Sequence, residues 1–140
     1  MSHFDEVLIK DLKKNNIAFN TLSPIEQDSV INKIHKHVPF SGSKIIWKSL
    51  KSSLNLGSEP SDSSIFLLAE EINKVTSADL IFIGDSACDD AYSIGHEHLT
   101  QTLRIFSELP QHTYIVSPEI NWIACISFEG HLDFATILTE

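Results

Sequence analysis

The stretch Leu80-Ile-Phe-Ile-Gly-Asp-Ser-Ala-Cys-Asp-Asp90 decides how the chain reads. Its first four residues form a continuous apolar run, too short for a helix and suited to a strand buried on both faces. Apolar residues recur at helical spacing before this run; after Thr113 they fall in short runs between turn signals. The stretch therefore marks the passage from a helical half to a sheet. It also ends in Gly84-Asp85-Ser86 with Asp89 and Asp90 close behind, and strand C-terminal ends are where many enzymes carry their chemistry.

Working outward toward the N-terminus, Phe4, Val7, Leu8 and Leu12 predict a helix over residues 3–14. Ser23-Pro-Ile-Glu26 is a helix start, with Ser as N-cap, Pro at the first helical position and Glu three residues on. Ile25, Val30, Ile31, Ile34 and Val38 supply its apolar stripe, and Pro39 stops it. Ser43 is placed to cap a third helix, with Ile46, Trp47, Leu50 and Leu54 on one face, Lys44, Lys48 and Lys51 on a solvated one, and Gly57 at its end. Asp62 is placed to cap a fourth, carrying Ile65, Leu68, Ala69 and Ile72.

Toward the C-terminus, a helix near residues 90–108 would turn Ile94, Leu99, Leu103, Phe106 and Leu109 inward; Gly95 weakens its first turns and Pro110 ends it. Residues 113–116, 122–128 and 132–138 read as strands, and their short separations make them an antiparallel meander, with Trp122 in the core. The expected fold is α+β, one domain over residues 1–140: about four N-terminal helices, then a small, mostly antiparallel sheet of about four strands with one interposed helix. A parallel β-α-β unit joining residues 80–83 to 113–116 fits the same pattern.

The Gly-Asp-Ser loop resembles two enzyme families. Ile83-Gly-Asp-Ser86 is similar to the nucleophile block of the Gly-Asp-Ser-Leu esterases, in which a serine is served by a histidine that an aspartate three residues earlier orients. Ala87 replaces the leucine here, and Ser93, Gly95, Leu109 and Phe128 stand three residues before His96, His98, His112 and His131, so the base is missing. Leu80-Ile-Phe-Ile-Gly-Asp85 with Asp89 resembles the last motif of haloacid-dehalogenase-like phosphatases, whose carboxylates hold Mg²⁺. That family also needs an Asp-x-Asp nucleophile block, and the chain contains no Asp-x-Asp. A cation at Asp85, Asp89 and Asp90 without catalysis is a third use of the loop. The structural alternative is that Asp85 or Ser86 caps the next helix and Asp89 and Asp90 sit in its first turn, favoured by the helix dipole.

Other constellations carry less. His35 with His37 and His96 with His98 are i, i+2 pairs, which a helix points to different sides. Cys88 and Cys125 are too few for a disulfide framework and read as reduced, buried thiols. No cofactor or metal is implied.

Charge is distributed unevenly. Residues 1–60 hold eight Lys/Arg against six Asp/Glu, whereas residues 61–140 hold two against thirteen, which gives +2 and −11 and sums to the net −9. A half of that sign repels phosphate and attracts a basic protein. The acidic N-terminus is unlike a signal peptide and no apolar run approaches a membrane span, so a cytoplasmic location is expected.

The segment Tyr114-Ile-Val-Ser-Pro-Glu-Ile-Asn-Trp-Ile-Ala-Cys-Ile-Ser-Phe-Glu-Gly130, with its strand, turn, Trp-bearing strand and Glu-Gly turn, resembles the immunity proteins of bacterial polymorphic toxin systems, including contact-dependent growth inhibition. The resemblance implies a non-enzymatic inhibitor that binds a cognate toxin domain as a 1:1 heterodimer and occludes its active site. That site, if a nuclease's, is basic. The candidate toxin-binding residues, chosen by charge and loop position, are Asp85, Asp89, Asp90, Glu97, Glu108, Glu119, Glu129 and Asp133. The alternatives are a small metal-dependent phosphatase-like or ester-hydrolysing enzyme using Gly84-Asp85-Ser86, and a cytoplasmic adaptor.

Overall fold

The computed structural model describes residues 2–42, 44–50 and 52–137. Ser43, Lys51 and Leu138, used above as a cap, a lysine face and a strand end, lie outside the described residues. Three helices fall where their apolar stripes put them: α1 (His3–Lys14), α2 (Pro24–His37) and α3 (Asp62–Val75). Ser23 and Glu26 form the expected capping box on α2. The cap of α3 is Ser61 rather than Asp62; its hydroxyl accepts from the Ser64 N–H, and Asp62 is left in the first turn, where it meets Arg104 at 2.9 Å. Ile25 is not part of the buried stripe of α2; it is among the most exposed apolar residues.

The expected count of strands and the N-terminal grouping of helices are both overturned. Among the described residues seven strands form one antiparallel sheet in the order β1-β6-β5-β7-β8-β9-β4. They are β1 (Phe19–Thr21), β4 (Leu54–Gly57), β5 (Leu80–Gly84), β6 (Tyr92–Ile94), β7 (Thr113–Val116), β8 (Trp122–Ile126) and β9 (Leu132–Thr136). A separate hairpin joins β2 (Phe40–Ser41) to β3 (Lys44–Ile45). The predicted third helix does not form: its residues make β3, a single 3₁₀ turn over Trp47–Ser49 and the edge strand β4. Lys44 and Lys48 therefore do not share a helical ladder.

The predicted helix over 90–108 is half right. Tyr92-Ser-Ile94 is an edge-side strand whose alternating burial suits a pleat, and a 3₁₀ turn over His96–His98 leads into α4 (Leu99–Ser107). Because β6 crosses the sheet once before α4 begins, the chain returns from the opposite end, and β5 and β7 pair antiparallel, Ile81 opposite Val116 through Gly84 opposite Thr113. No parallel unit joins them. The parallel crossover runs instead from β6 over α4 to β7, with β5 between. The C-terminal meander forms, in the register Thr113–Ile126 and Ile126–Leu132, but β8 stops at Ile126, and Phe128, expected as its last residue, lies in the turn that follows.

Both faces of the sheet are covered. On one, α1, α3 and α4 bury Leu8, Leu12, Leu68, Ile72 and Leu103 against Phe82, Ile115, Trp122 and Phe134. Phe82 stacks on Phe106 with ring centroids 4.5 Å apart. The other face is covered more thinly, by α2, the β2–β3 hairpin and Trp47, over Ile81, Ile83, Tyr114, Val116, Ile123 and Cys125. The near-continuous apolar runs of β5, β7 and β8 follow from this two-sided burial. The thinner face leaves open grooves, and these lead back to Asp85.

Candidate functional site

The loop after β5 caps no helix. Residues 85–91 run directly into β6, so neither Asp85 nor Ser86 is an N-cap and neither Asp89 nor Asp90 lies in a first turn. Asp85 instead closes the β5–β7 ladder: its N–H donates to the His112 carbonyl at 3.1 Å, and one carboxylate oxygen, Oδ1, accepts from the His112 N–H at 2.9 Å.

Four side chains from other parts of the chain fix the loop backbone, and one is Ser2, whose hydroxyl lies 2.8 Å from the Ala87 carbonyl. Gln27 of α2 accepts from the Ala91 N–H and donates to the Asp89 carbonyl. The buried Gln111 accepts from the Cys88 N–H at 2.9 Å and donates to the Thr113 hydroxyl at 3.1 Å. Asp5 of α1 does most. Fully buried, it accepts from the Asp89 N–H at 2.7 Å, the Asp90 N–H at 3.3 Å, the Tyr92 hydroxyl at 2.5 Å, and the N–H and hydroxyl of Ser2. Burial alone would raise its pKa; the hydrogen bonds from Ser2, Tyr92, Asp89 and Asp90 outweigh it and hold the carboxyl below its ordinary value. Burial, followed by the bond to Asp5, pushes the pKa of the Tyr92 hydroxyl well up.

Gly84 permits the Gln111 bridge. A Cβ there would stand 2.0 Å from the Gln111 side-chain oxygen. Gly84→Ala is expected to displace that amide, leave the buried Cys88 N–H and Thr113 hydroxyl without it, and cost about 1–3 kcal/mol in chemical denaturation. An unchanged denaturation midpoint would show that Gln111 can give way freely.

The eight acidic candidates divide between the two ends of the sheet. Asp85, Asp89, Asp90 and Glu129 belong to loops at the end where β5 and β8 finish, and Glu108 closes α4 just before β7 starts there. Glu97 and Glu119 sit at the other end, in the turns that follow β6 and β7. Asp133 projects from β9 near the first group but is half-buried; its carboxylate accepts from Asn55 at 2.9 Å, and burial raises its pKa more than that bond lowers it. Asp85 and Glu129 line one depression with Lys44, His112 and Phe128, and Glu129 and Asp133 line the next with Tyr114 and Cys125. Lys44 pairs with Glu129 at 3.4 Å across exposed side chains, a contact of small energetic weight.

Composition and spacing missed three members of this region. Phe128 is 63% exposed at the β8–β9 turn. His112 fixes that turn: its Nδ1 accepts from the Phe128 N–H at 2.9 Å, which puts the proton of the neutral ring on Nε2. Asp5 had a readable signal, since Ser2-x-x-Asp5 is the spacing of a capping box, and the box is present on α1.

The geometry bears on the enzymatic alternatives. The Ser86 hydroxyl donates to the Asp85 carboxylate at 3.2 Å, and among the described residues no histidine bonds to it. No group of three or more His, Cys, Asp or Glu among the described residues is placed to hold a metal ion. Burial, with Asp5, Asp89 and Asp90 nearby, pushes the Cys88 thiol up to about 12. Burial raises Cys125 too, with the charges of Asp133, Asp85 and Glu129 adding to the shift. Both thiols stay protonated near neutrality and are expected to resist iodoacetamide until the protein unfolds, as mass spectrometry of native and urea-treated samples would show. Fast alkylation of the native protein would place one of them at an open, activated site.

No helix among the described residues is long and apolar enough to cross a membrane. No protein-family model, curated protein or solved structure matches this chain.

Proposed function

We propose that this protein is an immunity-type inhibitor that binds a basic partner, a nuclease-like toxin domain, through the end of the sheet bearing Asp85, Asp89, Asp90, Glu129 and Phe128. One observation carries the reading. The 85–91 backbone is held by Ser2, Asp5, Gln27 and Gln111 from separate parts of the chain, while the Asp85 and Asp89 side chains stay exposed and Asp85 shares a depression with the exposed Phe128 ring. Hydrogen-bonding effort of that kind produces a preorganised acidic surface, and preorganisation lowers the ordering cost of binding. A basic active site that grips phosphate is its electrostatic complement. The partner would be bound 1:1 in the cytoplasm, with no chemistry performed by the inhibitor.

The test is to look for a toxin domain encoded beside the gene, to purify the chain with it and to follow binding by calorimetry at low and physiological salt, alongside growth of cells carrying that toxin. The expected result is a tight 1:1 complex that weakens as salt rises, and rescue of growth. Lack of a complex, or rescue without one, would overturn the proposal.

A further inference from the structure

An apolar groove on the thinly covered face reaches Asp85. It has a volume of about 310 Å³, at the small end for ligand pockets, and runs between α2, the β2–β3 hairpin and the sheet. Ile31, Ile34 and His35 of α2 line it, Phe40 and Tyr114 form an aromatic wall, and Ile83 lies beneath on the sheet; the His35 ring packs on Phe40 with centroids 5.0 Å apart. The two aromatic rings meet edge to face at 5.9 Å. At the mouth stands the Asp85 carboxylate. Its Oδ1 is held by the His112 N–H and the Ser86 hydroxyl, which fixes its direction. Its Oδ2 has no hydrogen-bond or ion-pair partner among the described residues, and the nearby Lys44 is paired with Glu129 instead.

We propose that this groove takes an arginine side chain from the partner, its stem on Ile31, Ile34 and Ile83, its guanidinium between the aromatic wall and Asp85. Three properties select that occupant. A purely apolar side chain would cover the Asp85 carboxylate and leave it unpaired, which is costly. A lysine satisfies the charge but gains less from ring faces than a planar, weakly hydrated guanidinium. An acidic side chain would meet Asp85 and the surrounding carboxylates with like charge. The arginine would form the centre of the contact and Phe128 its neighbouring anchor, the arrangement expected of binding hot spots. The identity of the partner rests on the inhibitor reading; the preference of the groove for a guanidinium on an apolar stem does not.

The probe is n-butylguanidinium, titrated into the whole protein and followed through backbone amide NMR shifts, with neutral n-butylurea of nearly the same shape as the comparison. The expected result is a saturable shift at Gly42, Ile83, Gly84 and Asp85 for the cation and a much weaker one for the urea. Asp85→Asn keeps the acceptor for the His112 N–H and removes only the charge. It should weaken the cation by roughly fivefold, the worth of one partly exposed ion pair, and leave the urea unchanged. Equal binding of the two probes, no change in Asp85→Asn, or shifts scattered over the whole protein would overturn the proposal. A toxin domain that binds wild type and Asp85→Asn equally would sink the groove and keep the inhibitor. Specific butylguanidinium binding with no toxin complex would do the reverse.

Discussion

Asp5→Ala is expected to destabilise the protein by about 3–5 kcal/mol, the range for breaking a buried charge network. The substitution removes an acceptor from five donors at once. Two are the Asp89 and Asp90 N–H groups, one is the buried Tyr92 hydroxyl, and two belong to the Ser2 cap of α1, whose hydroxyl keeps the Ala87 carbonyl as an alternative acceptor. Each buried donor left bare costs about 1–3 kcal/mol, partly recovered where water can enter. Asp5→Asn would retain volume but direct an amide N–H₂ at these donors, so it should recover little. Urea denaturation of the three proteins is the measurement. A loss below about 1 kcal/mol for Asp5→Ala would mean that the network is replaced by water at no cost.

The same residue sets a pH dependence with a definite sign. The folded pKa of Asp5 lies below its ordinary value, so the folded state binds its proton more weakly than the unfolded chain does. The stabilisation is fully present above the unfolded value of about 4 and is lost as pH falls through the lower, folded value. Asp133 acts oppositely, since its folded pKa is raised. The difference between the stability curves of wild type and Asp5→Asn isolates Asp5. It should be flat above about pH 5 and shrink steadily below pH 4. A difference that does not change with acid would show that Asp5 is protonated in the folded protein.

Residue patterns predict those parts of the fold whose signals are local. α1, α2 and α3 each combine an apolar stripe with a serine cap, and the meander is punctuated by Ser117-Pro118 and Glu129-Gly130. The strands that escape prediction are short and near the edges. Phe19-Asn-Thr21, Leu54-Asn-Leu-Gly57 and Tyr92-Ser-Ile94 carry too few residues for a period to show, and each is specified by the neighbour it pairs with. Ile94 also lies at helical spacing from the α4 residues, which disguises β6 as the first turn of a helix. The site divides in the same way. The charge of Asp85, Asp89, Asp90 and Glu129 is plain in the sequence. Their gathering at one sheet end, and the separation of Glu97 and Glu119, follow from strand order, which no local pattern encodes. A buried aspartate near the N-terminus that holds a loop after residue 84 is a contact across the whole fold, visible only once β5 and β6 stand beside α1.

Phe128→Ala is expected to weaken the proposed toxin complex by about 2–4 kcal/mol, roughly 30-fold to 1,000-fold in Kd, with folding stability unchanged within about 0.5 kcal/mol. The ring makes almost no claim on the fold. It is 63% exposed, and what the turn needs from this residue is its N–H, donated to His112 Nδ1, which alanine retains. Its claim on an interface is large: it shares a depression with Asp85, His112 and Glu129, so a partner covering those carboxylates must also cover the ring. Burying an aromatic side chain at the centre of a contact and excluding water from the neighbouring charge pairs act together, because ion pairs gain strength as water leaves. Glu129→Gln next to it should act differently, slowing association and flattening the salt dependence, since an exposed charge already paired with Lys44 contributes mainly to steering. Stopped-flow association and calorimetry of the two variants separate these effects. An unaltered Kd in Phe128→Ala, with wild type bound tightly, would move the interface away from this end of the sheet.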